Sequence, residues 1–307
     1  MTKRIVITSE FFGRFSDEGE KILRENGFEV INNPYNKFLN EDEVISMIGE
    51  AEGIICDLEG ITKKVIDSAP NLKVIARRGV GTDSVDVAYA KEKEIVVART
   101  LGVVEKPVAE LVMSYLLMIN RKISDLNAEM KIGQWTKVLG NSLENKVLGI
   151  IGMGNIGQEV ARKAQAFDMK VVYTSPKRNE VADALGAEYL SFEEVMAKSD
   201  VISIHAPLLE STKGLINADT MKLMKKKPIL INTARGPIVD ETDLCEALDE
   251  GIISFAAIDV FDVEPKTDSP LKAYDNVILT PHVGTFTEEV FINMDILAAQ
   301  NIVRHFK

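Results

Sequence analysis

The sequence predicts an α/β protein of two lobes, each built on a parallel sheet. Short β-branched runs alternate with amphipathic stretches along almost the whole chain, the order that places helices on the faces of parallel strands. The length of 307 residues exceeds the size at which one hydrophobic core usually stops growing. With 46% apolar and 27% charged residues, the composition is that of an ordinary globular chain, neither disordered nor fibrous.

The elements follow in order. Residues 4–8, 28–31, 53–56 and 73–76 are short and apolar or β-branched and read as strands. Between and after them, residues 17–26, 41–49, 62–69 and 84–93 carry helical periodicity, with Gly27, Pro70, Gly79 and Gly81 as punctuation. From Pro107 to about residue 131 there is one long helical run, with the proline near the first turn, where a missing N–H costs little. Its apolar face of Val108, Leu111, Val112, Tyr115, Leu116 and Ile119 reads either as core packing or as a dimer interface. A second series begins at Lys146, with strands at 147–151, 170–174, 201–205, 229–232, 254–258 and 277–280. Helices run between them, notably 155–167 and 241–250, and an amphipathic stretch at 287–305 ends the chain without a following strand.

Charge and cysteine usage exclude several classes. The 47 acidic against 36 basic residues, a formal charge of −11, argue against duplex DNA or an anionic membrane as partner, since both need a basic footprint. A small anion held by a few local arginines remains compatible. Cys56 and Cys245 lie outside any CxxC or His/Cys cluster, so buried free thiols are expected and a structural zinc site is not. The run Ile5-Val6-Ile7 is too short for a signal peptide and residues 111–119 too short for a membrane span, which makes a cytoplasmic protein the expectation.

Gly152-Met-Gly154-Asn155-Ile156-Gly157 follows one buried strand and opens a helix. In that context Gly152 permits a tight turn, Gly154 lets backbone approach a pyrophosphate, and Gly157 lets helix and strand pack closely. The helix N-terminus then offers unpaired N–H groups to phosphate. A carboxylate is expected at the end of the next strand if the ribose 2′-hydroxyl is bound there. The sequence places Ser175 at that position, followed by Lys177 and Arg178. Loss of the carboxylate and gain of two cations favour a 2′-phosphate, hence NADP over NAD.

Three further groups each stand just past a strand: Arg235 in Asn232-Thr233-Ala234-Arg235-Gly236, Glu264 in Asp259-Val-Phe-Asp-Val-Glu264-Pro265, and His282 in Pro281-His282-Val-Gly284. The C-terminal ends of parallel strands are where open α/β sheets bind ligands. An arginine, a carboxylate and a histidine, each at a strand end beside a dinucleotide loop, mark a ligand site rather than a coincidence.

These motifs, together with His205-Ala206-Pro207-Leu208, resemble those of the D-isomer-specific 2-hydroxyacid dehydrogenases over essentially the whole chain, near the phosphoglycerate dehydrogenase and glyoxylate/hydroxypyruvate reductase branches. The resemblance implies a Rossmann dinucleotide-binding domain at 101–284 inserted into a flavodoxin-like substrate-binding domain of residues 1–100 and 285–307. It also implies a homodimer built on the long helix. By the same resemblance Arg235 grips the substrate carboxylate and polarises the C2 oxygen, His282 is the acid/base, and Glu264 pairs with His282 and favours its imidazolium form. His205, Ala206, Pro207, Thr233, Ala234, Asp259 and Gly284 fall on the cofactor side, Asp259 at the position that orients the nicotinamide amide. Arg77-Arg78-Gly79-Val80-Gly81 matches a loop whose backbone N–H groups bind the substrate carboxylate. Arg77 itself matches an arginine that helps bind phosphate in phosphoglycerate dehydrogenases. Cys56, where those enzymes tend to place a second arginine, and Glu105-Lys106-Pro107 depart from that branch. The expected activity is hydride transfer between NADP(H) and a small anionic 2-oxo acid of the glyoxylate or hydroxypyruvate type. An NAD-linked phosphoglycerate dehydrogenase and a dinucleotide-binding corepressor of the same fold are the alternatives.

Overall fold

The computed structural model describes residues 2–307, which divide into two compact units. One runs to Val104 and resumes at Thr285; the other spans Glu105–Gly284.

The first unit is a five-stranded parallel sheet in the order β2-β1-β3-β4-β5. Its strands are β1 (Arg4–Ile7), β2 (Glu29–Asn32), β3 (Gly53–Cys56), β4 (Val74–Arg77) and β5 (Val96–Arg99). Helices α1 (Glu18–Glu25), α2 (Glu41–Ile48), α3 (Lys63–Asp67) and α4 (Val87–Glu92) connect them, and the last helix of the chain, α12 (Glu288–Phe306), packs on the same sheet. Alternation along the strands divides the core. Ile5, Ile7 and Val74 meet Leu23 of α1 and Ala298, Ala299 and Ile302 of α12 on one face. Val6, Ile54 and Ile75 meet Val44 and Ile48 of α2 and Val65 of α3 on the other. Burial on both faces is why β3 and β4 read as unbroken apolar runs. The helices start where the sequence supplies caps: Asn40 and Glu43 form a reciprocal capping box, and Thr62, Asp86 and Thr287 each accept a backbone N–H. β5 escapes the sequence reading because it is an edge strand, half-exposed along its length, without that burial signature.

The second unit contains α5 (Glu105–Arg121), α6 (Ile123–Lys131), β6 (Val147–Ile151), α7 (Asn155–Gln165), β7 (Lys170–Thr174), α8 (Glu180–Ala184), β8 (Glu188–Tyr189) and α9 (Phe192–Lys198). It continues through β9 (Val201–Ile204), α10 (Ala218–Met221), β10 (Ile229–Asn232), α11 (Glu241–Asp249), β11 (Phe255–Ile258) and β12 (Val277–Leu279). All seven strands are parallel, in the order β12-β11-β10-β9-β6-β7-β8. The chain winds outward in both directions from β6, so the strand order reverses between β6 and β9, the kind of point where doubly wound sheets bind ligands.

The long helix expected from Pro107 to about residue 131 is two helices. Lys122 takes a left-handed conformation (φ 51°) and ends α5. The face of Val112, Tyr115 and Leu116 packs into the core with Leu148, Val160, Ala161 and Ala164, and Val108 is buried too, so it is core and not a free dimer surface. By contrast α6 buries no residue. From it onward Ile123, Met130, Ile132, Trp135, Val138 and Leu139 are exposed. Both cysteines are free thiols; Cys56 is buried, whereas Cys245, expected buried, is only partly so. Among the described residues no helix is long and apolar enough to cross a membrane.

Candidate active site

Strand register builds the site in the second unit. Ile151, Thr174, Ile204, Asn232, Ile258 and Leu279 lie level across the sheet as successive paired residues. The next residue of each strand, namely Gly152, Ser175, His205, Thr233, Asp259 and Thr280, therefore stands in one row along the C-terminal edge. Motifs more than a hundred residues apart in sequence become neighbours there.

Gly152 has φ +96°, and a Cβ on it would run into the backbone of His205 and Ala206 at 2.6–2.8 Å. Two facts thus demand glycine: the left-handed turn and the close passage of the His205–Pro207 segment. A Cβ on Gly157 would meet the Gly152 carbonyl, so α7 could not lie this close to β6 with a larger residue. Gly154 differs, since a Cβ there would point into open space. It caps α7 without a side-chain hydrogen bond, which leaves the first N–H groups of Asn155 and Ile156 open to a ligand. Thr233 adds a buried hydroxyl without a protein partner. An open helix N-terminus, room beside Gly154 and an unpartnered hydroxyl fit a dinucleotide. His205 donates or accepts one bond through Nε2 to Ser203 Oγ at 2.8 Å. Burial pushes its imidazole pKa down to about 3, so the ring is neutral.

At the end of β7, Ser175 is partly buried and its carbonyl accepts from the Tyr189 hydroxyl. Lys177 and Arg178 are exposed, and Arg178 Nε donates to Asp183 at 2.6 Å.

The Arg235, Glu264 and His282 segments converge. Asn232 shapes the first, accepting from Ala234 N–H and donating to the Arg235 carbonyl. Gly236 lies so close to Phe261 that a Cβ would overlap the Phe261 carbonyl and the Asp262 nitrogen, so this glycine lets the Arg235 loop touch the Glu264 loop. Glu264 Oε1 accepts from Phe261 N–H, and Oε2 lies 2.6 Å from His282 Nδ1. Burial opposes the Glu264 charge, but the His282 bond and the charges of His282 and Arg235 outweigh it and hold the carboxyl below its usual range. His282 sits at φ +53°, in the left-handed region. Asp259 holds it there: its carbonyl accepts His282 N–H, and its carboxylate accepts Val283 and Gly284 N–H at 2.8 and 2.9 Å. Burial pushes the Asp259 carboxyl up, against the bonds it accepts.

In the first unit the Arg77–Gly81 loop follows β4, and its two arginines differ from expectation in different ways. Arg78, expected on the substrate, is a buried structural cation. Its side chain is 1% exposed; Nε donates to Asp295, Nη1 to Asp57 at 3.0 Å, and the guanidinium stacks 4.6 Å from the Phe291 ring centroid. With its donors committed and no surface open, it cannot contact a ligand. Arg77 is also buried, tucked beneath Gly79 against Asp57, but its Nε has no protein partner. Gly79 is at φ +146°, where a Cβ would meet the Arg77 guanidinium. Val80 and Gly81 are partly exposed.

Sequence reasoning passed over three supporting residues. Asn179 caps α8 and donates to the Met153 carbonyl, bracing the glycine loop. Tyr115 and Thr280 form a hydrogen-bonded chain to Asp259. The helix-start position of Asn179 was a readable signal; the other contacts are tertiary.

Known proteins share this sequence pattern and fold. The model of the D-isomer specific 2-hydroxyacid dehydrogenase NAD binding domain matches residues 113–284. A glyoxylate reductase of Thermococcus litoralis is 36% identical, covering 93% of this chain and 92% of its own. A hydroxypyruvate reductase of Thermotoga maritima is 40% identical, with 88% and 89% covered. The chain spans about half the length of the D-3-phosphoglycerate dehydrogenase of Methanocaldococcus jannaschii, which it also matches. Among solved structures, a D-lactate dehydrogenase from Aquifex aeolicus in complex with NAD and lactic acid superposes with a TM-score of 0.84 at 28% identity, over 98% of this chain and 94% of that one. Agreement over nearly full length, in a sheet whose edge carries the motifs of an NAD binding domain, makes this chain a member of the D-isomer specific 2-hydroxyacid dehydrogenase family.

Proposed function

We propose that this oxidoreductase transfers a hydride between NADP(H) and a small 2-oxo or 2-hydroxy acid, as a reductase of the glyoxylate or hydroxypyruvate type. The observation that carries the proposal is the His282–Glu264 pair at 2.6 Å, with the Arg235 charge beside it, at the ligand-binding edge of a dinucleotide-type sheet.

A bound nicotinamide cofactor supplies the hydride, or takes it in the reverse direction. The protein handles charge and protons. The Arg235 guanidinium can grip the substrate carboxylate while drawing electron density onto the C2 oxygen. Glu264 accepts at Nδ1 of His282, which orients the ring and leaves Nε2 to protonate the C2 oxygen, or to take the proton back during oxidation. Backbone N–H groups of Gly79, Val80 and Gly81, with Arg77 behind them, are proposed to bind the substrate carboxylate. Relatives named glyoxylate and hydroxypyruvate reductase support this substrate class.

For the cofactor, Gly152, Gly154, Asn155, Ile156 and Gly157 would hold the pyrophosphate. The His205-Ala206-Pro207 and Thr233-Ala234 segments, Asp259 and Gly284 would line the rest. The NADP preference rests on Ser175 in place of a carboxylate and on Lys177 and Arg178. The Arg178–Asp183 ion pair is exposed, and such pairs are weak in water, a small cost for a 2′-phosphate to overcome. The exposed apolar segment after α5 supports a homodimer.

The test is kcat/KM for glyoxylate, hydroxypyruvate, 3-phosphohydroxypyruvate and branched 2-oxo acids, each with NADPH and NADH, alongside His282→Ala. The expected result is turnover of the small acids, preference for NADPH, and a kcat lowered by about two to four orders of magnitude in the variant. A clear NADH preference removes the 2′-phosphate assignment, and a preference for the phosphorylated acid selects phosphoglycerate dehydrogenase. Dinucleotide binding without turnover of any acid supports a corepressor, while an unimpaired His282→Ala overturns the acid/base role.

A further inference from the structure

We infer that Tyr115 and Thr280 are positioning residues for His282, acting through the Asp259 carboxylate. The inference rests on His282 being the acid/base, as proposed above. Its starting point is a buried tyrosine hydroxyl in the apolar stripe of α5. Tyr115 lies among Val112, Leu116 and Leu148, where phenylalanine would fill the same space. A buried phenolic hydroxyl needs a partner, and here the partner is Thr280 Oγ1 at 2.5 Å, the first residue beyond β12. Thr280 Oγ1 in turn lies 2.5 Å from Asp259 Oδ1.

The chain has a direction. Thr280 Oγ1 and the N–H groups of Val283 and Gly284 converge on the Asp259 carboxylate, the arrangement an ionised, acceptor-only group requires. Thr280 therefore spends its one proton on Asp259, and Tyr115 donates to Thr280. The Asp259 carboxylate takes three ties from the 280–284 turn, and its carbonyl accepts the His282 N–H as well. The same helix braces the far end of the turn: a Cβ on Gly284 would lie 3.4 Å from Val108 and 4.0 Å from Leu111. Val108, Leu111 and Tyr115 are one face of α5, so a single helical stripe seats both ends of the turn that carries His282. That residue holds a left-handed backbone conformation, which a non-glycine side chain keeps only when its surroundings determine it. Without the Tyr115 hydroxyl, Thr280 can rotate away from Asp259 and the turn loses one of its three carboxylate ties.

The test compares Tyr115→Phe, Thr280→Val, the double variant and Thr280→Ser, with kcat and KM for glyoxylate and NADPH measured well below each variant's melting temperature. Tyr115→Phe and Thr280→Val should each lower kcat about tenfold, and the double variant should be no worse than Thr280→Val, because the two act through one chain. KM for the acid should stay within about twofold, since neither side chain touches it, and Thr280→Ser should restore kcat. A merely structural role would lower the melting temperature without this split. Wild-type kcat in Tyr115→Phe, multiplicative losses in the double variant, or a change confined to KM would each overturn the inference. If Thr280→Val fails to fold, Tyr115→Phe against Thr280→Ser still decides it. His282→Ala in the same assay separates the two proposals: its inactivity beside a silent Tyr115→Phe sinks only this inference, whereas its full activity sinks both.

Discussion

Substituting methionine for Arg78 keeps most of the side-chain volume and removes the charge. The guanidinium is 1% exposed, bonded through Nε to Asp295 and through Nη1 to Asp57, and stacked on Phe291. Without it Asp295, equally buried, keeps the Gly13 N–H at 2.9 Å as a donor, and Asp57 turns to Ser9 and water. Orphaning a buried charge costs about 3–5 kcal/mol, because the remaining ion stays out of water without its partner. The pH dependence follows from Asp295. Burial pushes its carboxyl above the ordinary range, with Arg78 opposing. An acid raised on folding binds more protons folded than unfolded just above the ordinary carboxylate pKa, so its effect on stability worsens as pH rises through that window. Removing Arg78 raises it further, which makes the stability loss larger at pH 8 than at pH 5. The assay is urea unfolding followed by far-ultraviolet circular dichroism at both values, because the single tryptophan, Trp135, lies in the other unit. A loss below about 1 kcal/mol at pH 8, accompanied by a raised KM for the acid, would refute the reasoning and return Arg78 to the substrate.

Three other outcomes are expected. Gly236→Ala should cost about 1–3 kcal/mol by overpacking and lower kcat, since the new methyl meets backbone at Phe261 and not a yielding side chain; thermal melts and kinetics check both. Glu264→Gln removes a carboxyl whose pKa is depressed on folding, so wild type should be the more stable at neutral pH, with the advantage lost as pH falls through the depressed value. Melting curves from pH 7 to 3 would show it. Trp135→Glu with Leu139→Glu places charge on the exposed apolar segment and should convert a dimer to monomer by light scattering; an unchanged mass would locate the interface elsewhere.

Much of the architecture was legible because burial on both faces leaves a continuous apolar run. β3, β4, β6, β9 and β10 show it, and each was readable within a residue or two. Edge strands β5 and β8 lack that signature and were not read. The break at Lys122 was invisible for a related reason: helical periodicity runs through it, and only the absence of a core beneath α6 distinguishes the two segments. Among site residues, the glycines announced themselves, since Gly152 and Gly157 answer to conformation and close packing. Arg77 and Arg78, adjacent and chemically identical, could not be told apart, because which guanidinium meets Asp295 depends on a helix some 217 residues away.

Sequence by itself determined the fold class, the strand ends and the chemistry placed on them, because periodicity and turn residues act locally. Tertiary structure decided which groups meet. Register across six parallel strands aligned Gly152, Ser175, His205, Thr233, Asp259 and Thr280 on one edge, and Gly236 let the Arg235 loop come up against the Glu264 loop. Burial decided the rest: the same positive charge is a structural tie at Arg78, where acids surround it and water is absent, and a surface group at Lys177, where water is plentiful.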